Sequence, residues 1–126
     1  MMDMIDAMED DDTVKVLVIV SKPPAKEVRD KISARLSNFS KPVVTLFVGE
    51  KPEYHEENFY HAYTLDEAAR LAVGLVRGTK VPEATVDVDE SEFYKAEDGK
   101  TIKAYYSGGT LANEAAMLIK DAMNCK

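Results

Sequence analysis

The sequence predicts an α/β fold, a parallel sheet held between two layers of helix, and three observations carry that prediction. Val14 to Val20 and Pro42 to Val48 are nearly unbroken apolar, β-branched runs, the pattern of strands covered on both faces. Between and after them lie stretches with helical spacing: Val28, Ile32 and Leu36 four apart, then apolar residues at three- and four-residue intervals from Leu65 to Val76. The connections are too long for hairpins, so consecutive strands run parallel through right-handed crossovers. Together these features describe a three-layer sheet of the flavodoxin-like kind.

In chain order, Met4, Ile5 and Met8 at helical spacing give a short amphipathic helix over Met1 to Met8, ended by the solvated run Glu9-Asp10-Asp11-Asp12. Val14 to Val20 is expected at the centre of the sheet, since only Lys15 interrupts its apolar character. Pro23 and Pro24 end it and suit the first turn of a helix, where a missing N–H breaks no intrahelical bond. Gly49 closes the second strand, a polar loop runs from Pro52 to Asn58, and Phe59 to Tyr63 forms a short third strand. Thr64 with Glu67 three residues on is a capping box, Leu65, Ala68, Ala69, Ala72, Val73 and Val76 supply the buried face, and Gly78 stops the helix. A charged linker or excursion follows over 79–100. Ile102 to Tyr106 is then expected as a last strand, and Gly109 to Met123 as a helix burying Leu111, Ala115, Leu118 and Ala122. The expected organisation is an α/β unit over 1–78, the linker over 79–100, and a strand and helix over 101–126 that could open another domain.

At 126 residues with 45% apolar content, the chain is sized for one core. A net charge of -7 argues against nucleic acid as a partner, because neutralising a phosphate backbone needs a clustered Lys/Arg surface. No apolar run approaches the roughly 20 residues needed to span a bilayer, and the first twelve residues are acidic, unlike a secretory signal. A cytoplasmic protein without a membrane partner is expected. Cys125 is the lone cysteine and has no partner for an internal disulfide.

Two turns are candidates for binding chemistry. Ser107-Gly108-Gly109-Thr110 joins the last strand to the last helix, where glycines admit a ligand to the backbone N–H groups and the helix start adds unpaired donors. An ordinary helix start with Ser107 or Thr110 as N-cap explains the same residues. After the first strand, Ser21 and Lys22 stand in a Ser-Lys-Pro-Pro turn, where the lysine could meet a phosphate or carboxylate as a point charge or simply be solvated. Ligands of open α/β sheets sit at the carboxyl ends of strands, so Ser21, Lys22, Ser107, Gly108, Gly109 and Thr110 form the candidate anion-binding set.

The ordered blocks Val16-Leu17-Val18-Ile19-Val20-Ser21-Lys22-Pro23-Pro24, Lys41-Pro42-Val43-Val44, Tyr63-Thr64-Leu65-Asp66-Glu67-Ala68-Ala69 and Tyr105-Tyr106-Ser107-Gly108-Gly109-Thr110-Leu111 resemble the FdrA family. These are acyl-CoA synthetase-like proteins related to the succinyl-CoA synthetase alpha subunit. The resemblance runs from about Ile5 to the C-terminus. It implies a ligase-type α/β domain from within a longer protein, whose partners are the other domains or subunits of a CoA-ligase-like enzyme. It further implies acyl-CoA synthetase-like or acyl-phosphate chemistry for that intact protein, or carbamoyl transfer, with CoA as a cofactor there and none in this chain.

The residues themselves carry no evident catalytic group. Alpha subunits of this kind use a phosphorylated histidine on a glycine-rich loop, oriented by a glutamate after an earlier strand. Here the corresponding turn is Ser21-Lys22-Pro23-Pro24, without a carboxylate, and the loop Gly49 to Asn58 is short and nearly glycine-free. His55 stands among Glu53, Glu56 and Glu57, where like charge opposes phosphorylation, and His61 reads as a packed strand histidine. Two histidines and a distant cysteine make a poor zinc set. No Gly-x-x-x-x-Gly-Lys nucleotide loop is present. The primary expectation is therefore a non-catalytic unit binding a small anion. The competing one is an assembly module, a homodimer included, without a ligand. A receiver or flavoprotein fits poorly, because no acidic pair follows the first strand.

Overall fold

A computed structural model describes residues 2–51, 58–79 and 101–123. Three strands, β1 (Leu17–Ser21), β2 (Val43–Phe47) and β3 (Phe59–His61), form a parallel sheet in the order β1-β2-β3. Leu17 pairs with Val43 and Ser21 with Phe47, while Val43 pairs with Phe59 and Thr45 with His61. Helices α1 (Met2–Asp10), α2 (Lys26–Leu36), α3 (Leu65–Arg77) and α4 (Gly109–Ala122) complete the described residues. This is a small α/β fold of the flavodoxin-like kind.

The pleat sends alternate residues of each strand to opposite faces, and each face has its own core. On one, Val43 and Phe59 pack with Ile32 and Leu36 of α2, with Phe39 and with Ile5 of α1, and Leu17 and Ile19 lie against them. On the other, Val44, Leu46, Val48 and Ala62 pack with Ala68 of α3, flanked by Leu65, Leu71, Ala72 and Leu75. All five residues of β2 are buried, as a central parallel strand requires.

Strand β1 departs from expectation. Among the described residues it is an edge, paired only with β2, and its exposure alternates so that Val18 is 43% and Val20 48% exposed. Its apolar run marks a strand meant for cover on both faces, yet pairing order is decided by distant segments that the local pattern does not contain. Helix α3 is rotated for the same reason. Leu65, Ala68, Leu71, Ala72 and Leu75 meet the sheet, whereas Ala69, Val73 and Val76 are exposed. Val28 of α2 is likewise exposed, leaving Ile32 and Leu36 as its buried stripe.

Several local readings hold. Thr64 Oγ1 accepts the Glu67 N–H at 3.1 Å, and Glu67 returns Oε2 to the Tyr63 N–H at 2.8 Å, a reciprocal cap at the start of α3. Gly78 ends that helix at φ 62, the left-handed region that favours glycine. The acidic run Glu9 to Asp12 is more than a solvated turn, since α1 continues through its first two residues. Arg35 of α2 pairs with Asp6 at 2.8 Å and also with Glu9, whose Oε1 accepts the Ser40 N–H at 2.9 Å. Lys41 donates to the carbonyls of Met8 and Asp11, closing the end of α1. No helix among the described residues is long and apolar enough to cross a membrane.

The expected last strand does not form. Residues 101–106 are irregular and exposed, Tyr105 at 93%, and among the described residues no strand pairs with them. Nor does α4 bury the expected stripe: it has no buried residue, and Leu111 and Leu118 face solvent. The linker residues 80–100, the loop residues 52–57 with His55, and Cys125 lie outside the described residues.

Candidate functional site

The carboxyl ends of β1 and β2 lead into two turns, Ser21-Lys22-Pro23 and Val48-Gly49-Glu50, and α4 lies across them. Ser21 is held on both sides: its hydroxyl donates to the Lys22 carbonyl at 2.9 Å and its own carbonyl accepts the Val48 N–H at 3.0 Å. Gly49 turns the chain at φ 98, a conformation that L side chains rarely adopt, and the Glu50 N–H closes the turn onto the Phe47 carbonyl at 3.0 Å. Two polar contacts fix α4. Its Glu114 carboxylate accepts the Leu65 N–H at 3.1 Å, placing a negative charge at the N-terminus of α3, and its Asp121 pairs with Lys51 at 3.0 Å.

The resulting cleft of about 380 Å³ is lined by Lys22, Pro23, Val48 and Gly49 from the strand ends and by Asn113, Ala116, Met117 and Lys120 from α4. The α4 residues recur at i, i+3, i+4 and i+7, which is one face of a helix. Lys22 and Lys120 therefore put two positive charges on one concave surface, with the Asn113 amide between the helix start and Lys120. The cluster can hold an anion through charge and hydrogen bonding, and the glycine keeps one wall free of a side chain.

Of the residues singled out in the sequence, only Lys22 lines this cleft; Ser21 precedes it in the turn and is not part of the lining. Ser107, Gly108, Gly109 and Thr110 are exposed and begin the helix that supplies the opposite wall. Gly108 is the N-cap of α4, with extended backbone and no side-chain cap bond, so neither Ser107 nor Thr110 takes that role. A Cβ at Gly108 or Gly109 would meet nothing within 4 Å, so the space above the joint is open. Asn113 and Lys120 were not singled out from the sequence. Their signal is their spacing with Ala116 and Met117, which the more apolar stripe through Leu111 and Leu118 outweighs.

A second cleft, of about 510 Å³, opens on the other side of the Gly49 turn, between the first turns of α2 and the ends of β2 and β3. Here the sheet face changes from apolar to polar. Thr45, only 1% exposed on the central strand, shares a hydrogen bond of 2.9 Å with Nδ1 of His61 on β3, whose ring lies 4.4 Å from that of Phe59. Arg29 and Glu50 pair at 2.6 Å at its mouth. Lys26 pairs with Asp30 at 2.7 Å. The three cations lining this cleft, Lys26, Arg29 and Lys51, thus each face a carboxylate, which makes it the less suited of the two to an added anion. His61 fits the expectation of a packed histidine, held by Thr45 and Phe59.

No protein-family model matches the chain. Compared with curated proteins, it is 30% identical over 128 residues to the uncharacterized protein YahF of Escherichia coli (strain K12), a match covering 96% of this chain. The chain spans 25% of that relative's length.

Proposed function

We propose that the chain is the ligase-type α/β unit of an FdrA-like, acyl-CoA synthetase-type assembly, and that it holds a small phosphate-bearing or carboxylate anion at the carboxyl ends of its strands. The observation that carries the reading is the convergence of Lys22 and Lys120 on one cleft with Asn113 and the side-chain-free Gly49. Crevices at this end of open α/β sheets are where ligands bind, and acyl phosphates and the phosphates of CoA are anions of the matching charge. The similarity to a quarter of a longer protein is in keeping with a unit that works beside other domains. In that arrangement this chain binds and orients the anion, and the groups that make and break bonds belong to other parts of the assembly.

Calorimetric titration with inorganic phosphate, carbamoyl phosphate and CoA tests the reading. Removing one exposed lysine near a bound anion costs about 1 kcal/mol, so Lys22→Ala and Lys120→Ala should each weaken binding about fivefold. Gly109→Val adds a side chain into open space and asks whether the Ser-Gly-Gly-Thr joint also touches the anion. Unchanged affinity in both lysine variants, or no binding by the native chain, contradicts the proposal.

A further inference from the structure

Helix α4 supplies half of the residues lining the anion cleft, yet its own packing does little to hold it there. Asn113, Ala116, Met117 and Lys120 line the cleft, while among the described residues no side chain of α4 is buried. A helix with so little apolar burial takes its position from its polar contacts. Two of these are made by carboxylates of α4 itself. Glu114 accepts the Leu65 N–H at 3.1 Å, and Asp121 pairs with Lys51 at 3.0 Å. The first completes a cap, because Thr64 satisfies the Glu67 N–H at the start of α3 while Glu114, from 49 positions further along the chain, satisfies that of Leu65. Glu114 directly follows Asn113, and Asp121 directly follows Lys120. The two carboxylates thus stand at i and i+7, on one stripe of the helix beside the stripe that lines the cleft. They fasten both ends of the lined segment, about 10 Å apart along the helix axis.

We propose that Glu114 and Asp121 are positioning residues of the anion site. They clamp α4 across the strand ends so that Asn113 and Lys120 share one cleft with Lys22, and a bound anion in turn holds the helix in that position. The inference rests on the anion reading of the cleft, and it names residues that set the affinity without touching the ligand. The coupling is reciprocal: the fraction of molecules with α4 docked scales the apparent affinity, and the anion raises that fraction. The sign of the effect separates this role from simple electrostatics. By charge alone, a carboxylate near a bound anion opposes it, so its removal would tighten binding. As a clamp, its removal weakens binding.

Calorimetric titration of the full chain with inorganic phosphate, paired with hydrogen exchange of the α4 amides, tests it, with circular dichroism confirming the fold of each variant. Glu114→Ala and Asp121→Ala should each weaken phosphate binding about two- to fivefold, the scale of one exposed contact. Asp121→Glu, which keeps a carboxylate for Lys51, should bind with near-native affinity. Saturating phosphate should slow exchange along α4 in the native chain, and each alanine variant should speed it in the ligand-free chain. Phosphate binding by the native chain together with unchanged or tighter binding in both alanine variants overturns the positioning role and leaves the anion cleft standing. Exchange along α4 that bound phosphate does not alter overturns it too. No binding by the native chain removes the anion reading and this inference together.

Discussion

Replacing Thr45 by valine tests how the polar end of the sheet is held together. Thr45 is 1% exposed, and its hydroxyl shares a 2.9 Å hydrogen bond with His61 Nδ1. Valine keeps the β-branched shape, so no cavity forms, and what is lost is the bond and the partner it leaves behind. An intact bond of this kind contributes about 1 kcal/mol net, and stranding a buried partner costs about 1–3 kcal/mol. The added methyl recovers part of this through burial, at about 0.8 kcal/mol for a carbon of that size. Thr45→Val should therefore destabilise the protein by about 1–2 kcal/mol, read from urea unfolding with an unchanged slope. The double variant Thr45→Val with His61→Phe removes both polar partners and should regain most of the loss, giving a coupling of about 1 kcal/mol. A neutral or stabilising Thr45→Val, or strictly additive effects, would refute the reasoning that this pair is a satisfied structural contact.

Further predictions concern the helix ends. Thr64→Ala removes the side-chain cap on the Glu67 N–H and should cost about 1 kcal/mol in the same unfolding assay, with Thr64→Ser close to native. Glu9 has its carboxyl pKa lowered, first by the hydrogen bond from Arg35 and then by the Ser40 N–H, and Asp11 is lowered by its bonds from Thr13. A depressed carboxylate stabilises the fold above its unfolded value and loses that contribution as pH falls through the folded value. Stability should thus be flat near neutrality and decline below about pH 4.5, with a shallower acid limb in Arg35→Gln and in high salt. An acid limb unaffected by either change would show that the α1 contacts do not form in solution.

Features set by short-range chemistry were legible in the sequence. The capping box at Thr64 and Glu67, the left-handed stop at Gly78 and the buried run Val43 to Phe47 each follow from neighbouring residues alone. Strand order was not legible, since whether β1 has a neighbour on its outer side depends on residues far from Val14 to Val20. Its apolar character pointed to a central strand covered on both faces, whereas among the described residues β1 is an edge with Val18 and Val20 exposed. The site was half legible. Lys22 stands out because two prolines fix it at a strand end, but its counterpart Lys120 becomes visible only when the Asn113–Lys120 face of α4 is seen to line the same cleft. That choice is made by Glu114 at the α3 N-terminus and Asp121 at Lys51, contacts that hydrophobic periodicity does not report. The Gly-Gly joint stood out because glycines admit a ligand to backbone N–H groups, yet neither Gly108 nor Gly109 lines the cleft.

The central claim, an anion held between Lys22 and Lys120, is tested most directly by following backbone and lysine side-chain NMR signals during titration with inorganic phosphate. The account predicts saturable shifts confined to Lys22, Gly49 and the Asn113–Lys120 face, lost in Lys120→Ala. Shifts centred on Arg29, Thr45 and His61, or none that saturate, would contradict it.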